Sequence, residues 1–287
     1  MSDERREVTD QMGRTIHYSF PPKRIISLVP SQTELLHYLG LEQQVVGITG
    51  YCIHPDAWYR SKPRIGGTKK FRLNKIEELA PDLIIGNKEE NEQQQMEALM
   101  ERYPVWMSDI FTLDDAFDMI LKVGHLVDRE AASKPLVQTL KKDFENHHPS
   151  PLSSSSSLSS SSSLSSSRSP SPLPSPSRVA YLIRRSPWMV AGVPTFIDHL
   201  MQRCGWTNVF SDRKARYPEV NDKDLQNARP DLILLSSEPY PFKETHIAEL
   251  QRLCPTSTIR LVDGELFSWY GSRLLHTPAY LRDLIER

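Results

Sequence analysis

Cys52 and His54 share one loop, Gly50 to Pro55, and supply a soft and a borderline donor one residue apart. With Glu89, Glu90 or Glu238 they could complete a site for a soft metal ion, so metal ligation by Cys52 and His54 is one expectation. The same carboxylates, joined by Glu265, could do acid–base work if they face a common cleft. The chain has no Gly-x-Ser-x-Gly elbow and no His-Glu-x-x-His pair, and Ile65 to Lys70 lacks phosphate-loop spacing. Non-enzymatic binding is therefore expected over catalysis. Tyr51, Trp188, Tyr217, Tyr240 and Trp269 lie in segments after or between predicted strands, where a core role is less natural. Rigid aromatic walls suit a flat or apolar ligand. Arg273, Lys88, Glu238 and Glu265 would supply its few oriented polar contacts.

Each of these residues also has a plainer reading. Ser31 and Glu34 have capping-box spacing, although the backbone at that helix start, with Ser31 and Gln32, also faces the expected crevice. Glu89 and Glu90 suit a helix start favoured by the macrodipole. Trp269 could be core, and Arg273 could be a structural ion-paired arginine or the group that meets an anionic ligand.

The elements that must position these side chains repeat. Pro81-Asp82-Leu83-Ile84-Ile85 and Pro230-Asp231-Leu232-Ile233-Leu234-Leu235 are apolar runs opened by proline and closed by polar residues, the pattern of strands buried on both faces. Each follows an amphipathic stretch and an earlier strand, Arg24 to Val29 or Arg178 to Ile183. Two diverged copies of one βα unit predict two similar lobes. In open α/β sheets the loops after the strands' carboxyl ends form the ligand crevice. Gly66-Gly67-Thr68 supplies a glycine-bearing turn beside that edge. Thr112 to His148 reads as continuous helix, with Pro135 as the point of kink or restart.

Ser150 to Ser177 contains only Ser, Pro, Leu and one Arg, too little apolar surface to offset ordering entropy, and is expected to be disordered. The resulting plan is an N-terminal tail at 1–22, lobe 1 at 23–111, a helical spine at 112–148, the serine-rich insert at 149–177 and lobe 2 at 178–287. A net charge of −1 gives no argument for nucleic acid or an anionic membrane surface, and no run reaches the length of a membrane span. A monomer is expected. Three cysteines, odd in number and without Cys-x-x-Cys spacing, fit a reducing compartment. Residues 1–20 lack an apolar leader core, so the expectation is a cytoplasmic protein, or a periplasmic one if the true start lies upstream.

Taken together, Ser27-Leu-Val-Pro-Ser-Gln-Thr-Glu34, Gly66-Gly-Thr68, Pro81 to Ile85 with Asn87-Lys-Glu-Glu-Asn91, Ser236 to Phe242, and Asp263 to Arg273 resemble the class III substrate-binding proteins of ABC importers. These are helical-backbone receptors for cobalamin, haem, siderophores and metals, and the chain is most similar to the cobalamin-binding-protein-like "helical backbone metal receptor" group. The resemblance implies an α/β fold of two Rossmann-like lobes joined by a long helical spine. It also implies a ligand between the lobes: a corrinoid, haem, siderophore-iron or a metal ion. By the same resemblance Tyr51 would be a sandwiching aromatic of lobe one and Trp188 and Tyr217 those of lobe two, with Glu265 and Arg273 near polar contacts. Thr68 stands where a cobalamin receptor has a tryptophan. An ABC permease is the implied partner, docked through one glutamate per lobe. Asn74 and Lys223 stand at those two positions, so a ligand sensor or carrier not coupled to a permease is the alternative.

Overall fold

The computed structural model describes residues 4–146 and 177–286. The chain divides into two compact units, one of residues up to Lys142 together with Ser268–Leu275, the other of Asp143–Phe267 together with His276 onward. The serine-rich insert falls outside the described residues except for Ser177. That residue is buried, and its carbonyl accepts the Thr207 N–H at 2.9 Å.

Unit 1 opens on an antiparallel hairpin, β1 (Glu4–Thr9) and β2 (Thr15–Phe20), where the sequence predicts only a tail. Asp10 builds its turn. The buried carboxylate accepts the N–H groups of Met12 and Arg14, both at 2.9 Å, while Gln11 N–H bonds the Met107 carbonyl at 3.1 Å. The turn thus covers a strand edge that would otherwise present unpaired backbone groups. No apolar alternation marks Glu4–Thr9, so the pattern gave no sign of a strand.

Four parallel strands follow: β3 (Ile25–Ser27), β4 (Val45–Ile48), β5 (Leu83–Asn87) and β6 (Val105–Ser108), in the order β4-β3-β5-β6. Around them run α1 (Pro30–Tyr38), α2 (Asp56–Ser61), α3 (Leu73–Glu78) and α4 (Gln93–Met100). The predicted continuous helix is two, α5 (Leu113–Leu126) and α6 (Glu130–Asn146). Pro135 sits inside α6, and the break lies at Asp128, whose φ is +58°. Tight packing between the two helices accounts for it: a Cβ on Gly124 would stand 2.0 Å from Ser133 Oγ, which only a turn between them allows.

Unit 2 contains β7 (Arg178–Arg184), β8 (Trp188–Val190), α7 (Phe196–Arg203), β9 (Thr207–Asn208), β10 (Glu219–Val220), α8 (Asp222–Ala228), β11 (Leu232–Ser236), α9 (Glu244–Leu253) and β12 (Thr258–Val262). A short α10 (Glu265–Ser268) and α11 (Thr277–Glu286) complete the chain. The sheet order is β10-β8-β7-β11-β12, with β9 also on β7; β7, β11 and β12 are mutually parallel.

The repeat seen in sequence is a repeat of geometry. Every residue of β5 and of β11 is buried, as expected of strands covered on both faces. Asp82 accepts the N–H groups of Lys23 and Arg24 at 2.7 and 2.9 Å, and Asp231 accepts that of Arg178 at 2.8 Å. The two arginines in turn donate to the ends of the preceding helices, Arg24 to Leu79 O and Arg178 to Ala228 O, each at 2.7 Å. Such pairing answers helix carbonyls that have no partner within the helix. In both units it fixes where the buried strand begins, and so where its carboxyl end delivers the next loop.

Candidate functional site

In unit 1 the strands end together at Ser27, Ile48, Asn87 and Ser108. Asn87 and Asn91 shape the loop after β5. Asn87 Oδ1 accepts the N–H groups of Glu89 and Glu90 at 2.9 and 3.0 Å, and its Nδ2 donates to Ser108 Oγ at 2.9 Å. Asn91 Oδ1 accepts the Asn87 N–H at 2.8 Å, and its Nδ2 reaches the Thr68 carbonyl at 3.0 Å. A Cβ at Gly86 would lie 2.7 Å from Asn91 Oδ1, so glycine is required for the asparagine to close this ring. Gln95 ties the same two loops again, accepting Phe71 N–H at 2.6 Å and donating to Lys69 O at 2.8 Å. The Gly66–Phe71 turn is therefore tied both to the Asn87–Asn91 loop and to α4 behind it.

Gln32 is wholly buried and donates to Ser108 Oγ at 2.5 Å, while its Oε1 lacks a partner among the described residues. Ser31 and Thr68 are buried too. The expected capping box does not form: Val29 is the N-cap without a side-chain bond, and Pro30 opens α1. Proline suits that position because its missing N–H would have had no partner there. Glu34 is released for another task. It receives Arg273 through Nε at 3.0 Å and Nη2 at 2.8 Å.

Arg273 and Trp269, expected in the second lobe, belong to unit 1. Gly271 makes this possible, since its φ of +119° and the 3.2 Å gap a Cβ would leave to Ser31 O admit little else. The Arg273 guanidinium stands 5.0 Å from the centre of the Trp269 ring, and His54 meets that ring edge-on at 5.6 Å. Tyr51 is different from both: 65% exposed, it rests against Gly67, where a Cβ would lie 3.2 Å from the ring. Neighbouring Ile53 is 44% exposed, so this loop offers an aromatic and an apolar side chain to solvent.

The metal reading of Cys52 and His54 is corrected by their surroundings. Cys52 is fully buried, and its Sγ meets Thr33 Oγ1 and Thr49 Oγ1, both at 3.1 Å. Burial pushes the thiol up, whereas a metal ligand must be a thiolate. Among the described residues no group of three or more His, Cys, Asp and Glu side chains could hold a metal ion.

Unit 2 delivers its loops at the ends of β7, β11 and β12. Ser236 Oγ donates to the Glu238 carbonyl at 2.5 Å and receives the hydroxyl of buried Tyr181 at 3.2 Å. Ser237 Oγ accepts Gly264 N–H at 2.9 Å, joining the Glu238 loop to the Asp263–Glu265 loop. Glu238, Tyr240, Glu265 and Tyr217 are all partly exposed.

Trp188 has a structural place. It is 7% exposed, stacks on Phe242 at 6.4 Å with 12° between planes, and donates Nε1–H to Asp222 at 2.8 Å. Tyr240 packs on the other partner of that stack, Phe242, at 4.9 Å, with its hydroxyl 3.2 Å from His246 Nε2. Beside Trp188 lies an open hollow of about 550 Å³ lined by Arg185, Asn221, Asp222, Lys223 and Glu249. Arg185 grips Glu249 through two bonds of 2.8 Å and holds its carboxyl below the usual range.

Sequence reasoning thus located the loops but read Glu34 only as a helix cap and missed other residues that set them: Gln95, Ser108, Asp222 and Glu249. Only Asn87 and Asn91 had a signal, an asparagine pair bracketing a charged loop after a buried strand.

Comparison with known proteins agrees with this geometry. Residues 25–149 match the family described as periplasmic binding protein. The vitamin B12-binding protein of Pectobacterium atrosepticum is 24% identical over 265 residues, spanning 88% of this chain and 85% of that protein. Among solved structures, the periplasmic vitamin B12 binding protein BtuF of Vibrio cholerae superposes with a TM-score of 0.73 at 20% identity, covering 93% of this chain and 97% of that one. The periplasmic heme-binding protein BhuT, solved with two hemes, gives 0.74 at 20% identity, covering 92% and 98%. At such identity the structures speak for the fold. The solved relatives are periplasmic, and a cytoplasmic location finds no support among them. No helix among the described residues is long and apolar enough to cross a membrane. With a family match over residues 25–149, these relatives and this fold, the chain is similar to the class III substrate-binding proteins of ABC importers.

Proposed function

We propose that the chain is a periplasmic receptor that binds a small, flat-faced ligand, of the corrinoid, haem or siderophore-iron kind, without transforming it. The observation that carries this is Tyr51, a large aromatic left 65% exposed on a glycine at the carboxyl ends of the strands. Apolar surface of that size resting on Gly67, in a turn held by Asn91 and Gln95, is a preformed wall, and preformed walls lose little entropy on binding. In this reading Gly67, Thr68, Lys88, Glu89 and Glu90 join it from the loops of unit 1, and Tyr217, Glu238, Tyr240 and Glu265 are the loop residues of unit 2 that take part. Mass spectrometry of small molecules retained on purified protein should find one such ligand. Tyr51→Ala should then weaken its binding by about 1–3 kcal/mol, the area term for a large side chain. Unchanged affinity in that variant would remove the proposal's basis.

Permease coupling is a separate matter. Asn74 on α3 and Lys223 on α8 are both exposed where the family's docking glutamates are expected. Losing one interfacial charge and reversing another weakens association with a basic partner surface. That supports a receptor which hands its ligand to something other than a cobalamin-type permease. Stable co-purification with such a permease, insensitive to Asn74→Ala and Lys223→Ala, would count against it.

A further inference from the structure

We propose that a basic turn of unit 1, Arg64 to Arg72, docks a partner protein through carboxylates on that partner's surface. This goes beyond the receptor reading above and does not rest on it.

The chain as a whole is close to neutral, with a net charge of −1, yet one stretch of it is one-sided. From Ala57 to Ile76 there are seven Lys and Arg residues and no acid. The fold brings acids to some of these cations and not to others. Arg60 pairs with Asp56 at 2.9 Å, Lys62 with Glu42 at 3.6 Å and Lys75 with Glu78 at 3.3 Å. Lys69 bonds the Glu89 carbonyl. The other acids nearby have partners too. Glu77 receives Arg102 at 2.7 Å, Glu92 caps α4 through the N–H groups of Gln94 and Gln95, and Glu89 and Glu90 have contacts of their own. Arg64, Lys70 and Arg72 remain. All three are exposed, and none makes an ion pair among the described residues. Arg64 lies over the Tyr59 ring at 4.5 Å, a contact that steadies the guanidinium without occupying its N–H donors.

The backbone sets the spacing of these three cations. Arg72 N–H bonds the Ile65 carbonyl at 2.7 Å and Gly67 N–H bonds the Lys70 carbonyl at 2.9 Å. Arg64 and Arg72 therefore end the two arms of a tight turn, with Lys70 near its tip. Gly66 is required there: its φ is +121°, and a Cβ would stand 2.5 Å from the Lys70 carbonyl. Asn91 and Gln95 fasten the turn to the loop and helix beside it. Two open arginine forks and an ammonium on a fixed frame suit carboxylates held at fixed places, as on a folded partner. Anionic lipid suits them less. Three open cations fall short of the clusters of about four to eight that hold a protein on such lipid, and mobile headgroups offer no spacing to match.

The test follows binding of a fluorescein-labelled polyglutamate peptide to the full chain by anisotropy. The parent should bind it at least about tenfold more tightly than Arg64→Gln/Lys70→Gln/Arg72→Gln does, and the affinity should fall as salt is raised. Arg64→Lys/Arg72→Lys keeps the charge and loses the forks, and should weaken binding by about threefold or more. Lys75→Gln/Glu78→Gln removes a matched pair and should change it by less than about twofold. The substituted positions are all exposed, so each variant should melt with the parent. Equal binding by the parent and the triple variant, or by the parent and Arg64→Lys/Arg72→Lys, overturns the proposal. So does tighter retention on phosphatidylglycerol vesicles than on the peptide, which would make the turn a membrane contact. Displacement of the peptide by inorganic phosphate at equal ionic strength also overturns it, in favour of a small-anion site.

Discussion

Arg273 and Glu34, 239 residues apart in the chain, meet through a bidentate pair at 2.8 and 3.0 Å. The pair fastens the loop after α10 to the first turns of α1, and both side chains are largely withdrawn from solvent. Charge-assisted bonds of this kind exceed ordinary surface ion pairs, and removing one partner leaves the other poorly solvated. Arg273→Ala and Glu34→Ala should each lower stability by about 2 kcal/mol. The double variant should cost clearly less than the sum, with a coupling of about 1 kcal/mol or more in a thermodynamic cycle. Additive effects in urea unfolding would show that the contact contributes nothing.

Asn91 should be the residue on which the unit 1 loops depend most. Asn91→Ala leaves the Asn87 N–H and the Thr68 carbonyl without their partner, at about 1–3 kcal/mol. Amide exchange should accelerate in residues 66–71 and 87–91 ahead of the sheet. Asn91→Asp keeps the acceptor for Asn87 and loses the donor to Thr68, so its cost should be intermediate.

Trp188 should prove a stability residue. Trp188→Ala removes a buried ring from the Phe242 stack and should cost about 3–5 kcal/mol. Trp188→Phe keeps a ring and loses the bond to Asp222, for about 1 kcal/mol. A Trp188→Ala protein that melts with the parent would contradict this packing.

The thiols give a pH signature. Cys52, Cys204 and Cys254 are buried; burial raises all three, Cys204 to about 12. A thiol raised in the folded state keeps its proton while the unfolded chain releases it. This contribution is therefore intact below the ordinary thiol range and is lost as pH rises from there toward about 12. Native protein at neutral pH should leave Ellman's reagent almost unreacted, and all three thiols should titrate in denaturant. Rapid reaction of one thiol in native protein would place it on the surface.

What the sequence determined by itself was local and periodic. The two Pro-Asp-Leu strands were legible because burial on both faces demands an unbroken apolar run, and the loops behind them because polar residues end such runs. The family resemblance rested on those segments together with Ser27–Glu34, Gly66–Thr68 and Asp263–Arg273. What only the tertiary structure decided was pairing across distance. No pattern near Glu34 announces Arg273, and Ser31 with Glu34 reads as a capping box until Pro30 is seen to open the helix instead. Trp188 reads as a wall of a binding site because it lies in a segment between predicted strands and matches a sandwiching position by resemblance; Asp222 and Phe242, from two other segments, make it core. Cys52 reads as a metal donor beside His54 until Thr33 and Thr49 close over its sulfur. In each case the side chain's chemistry is set by which partner neutralises or buries it, and that partner is chosen by the packing of the sheets rather than by its neighbours in the chain.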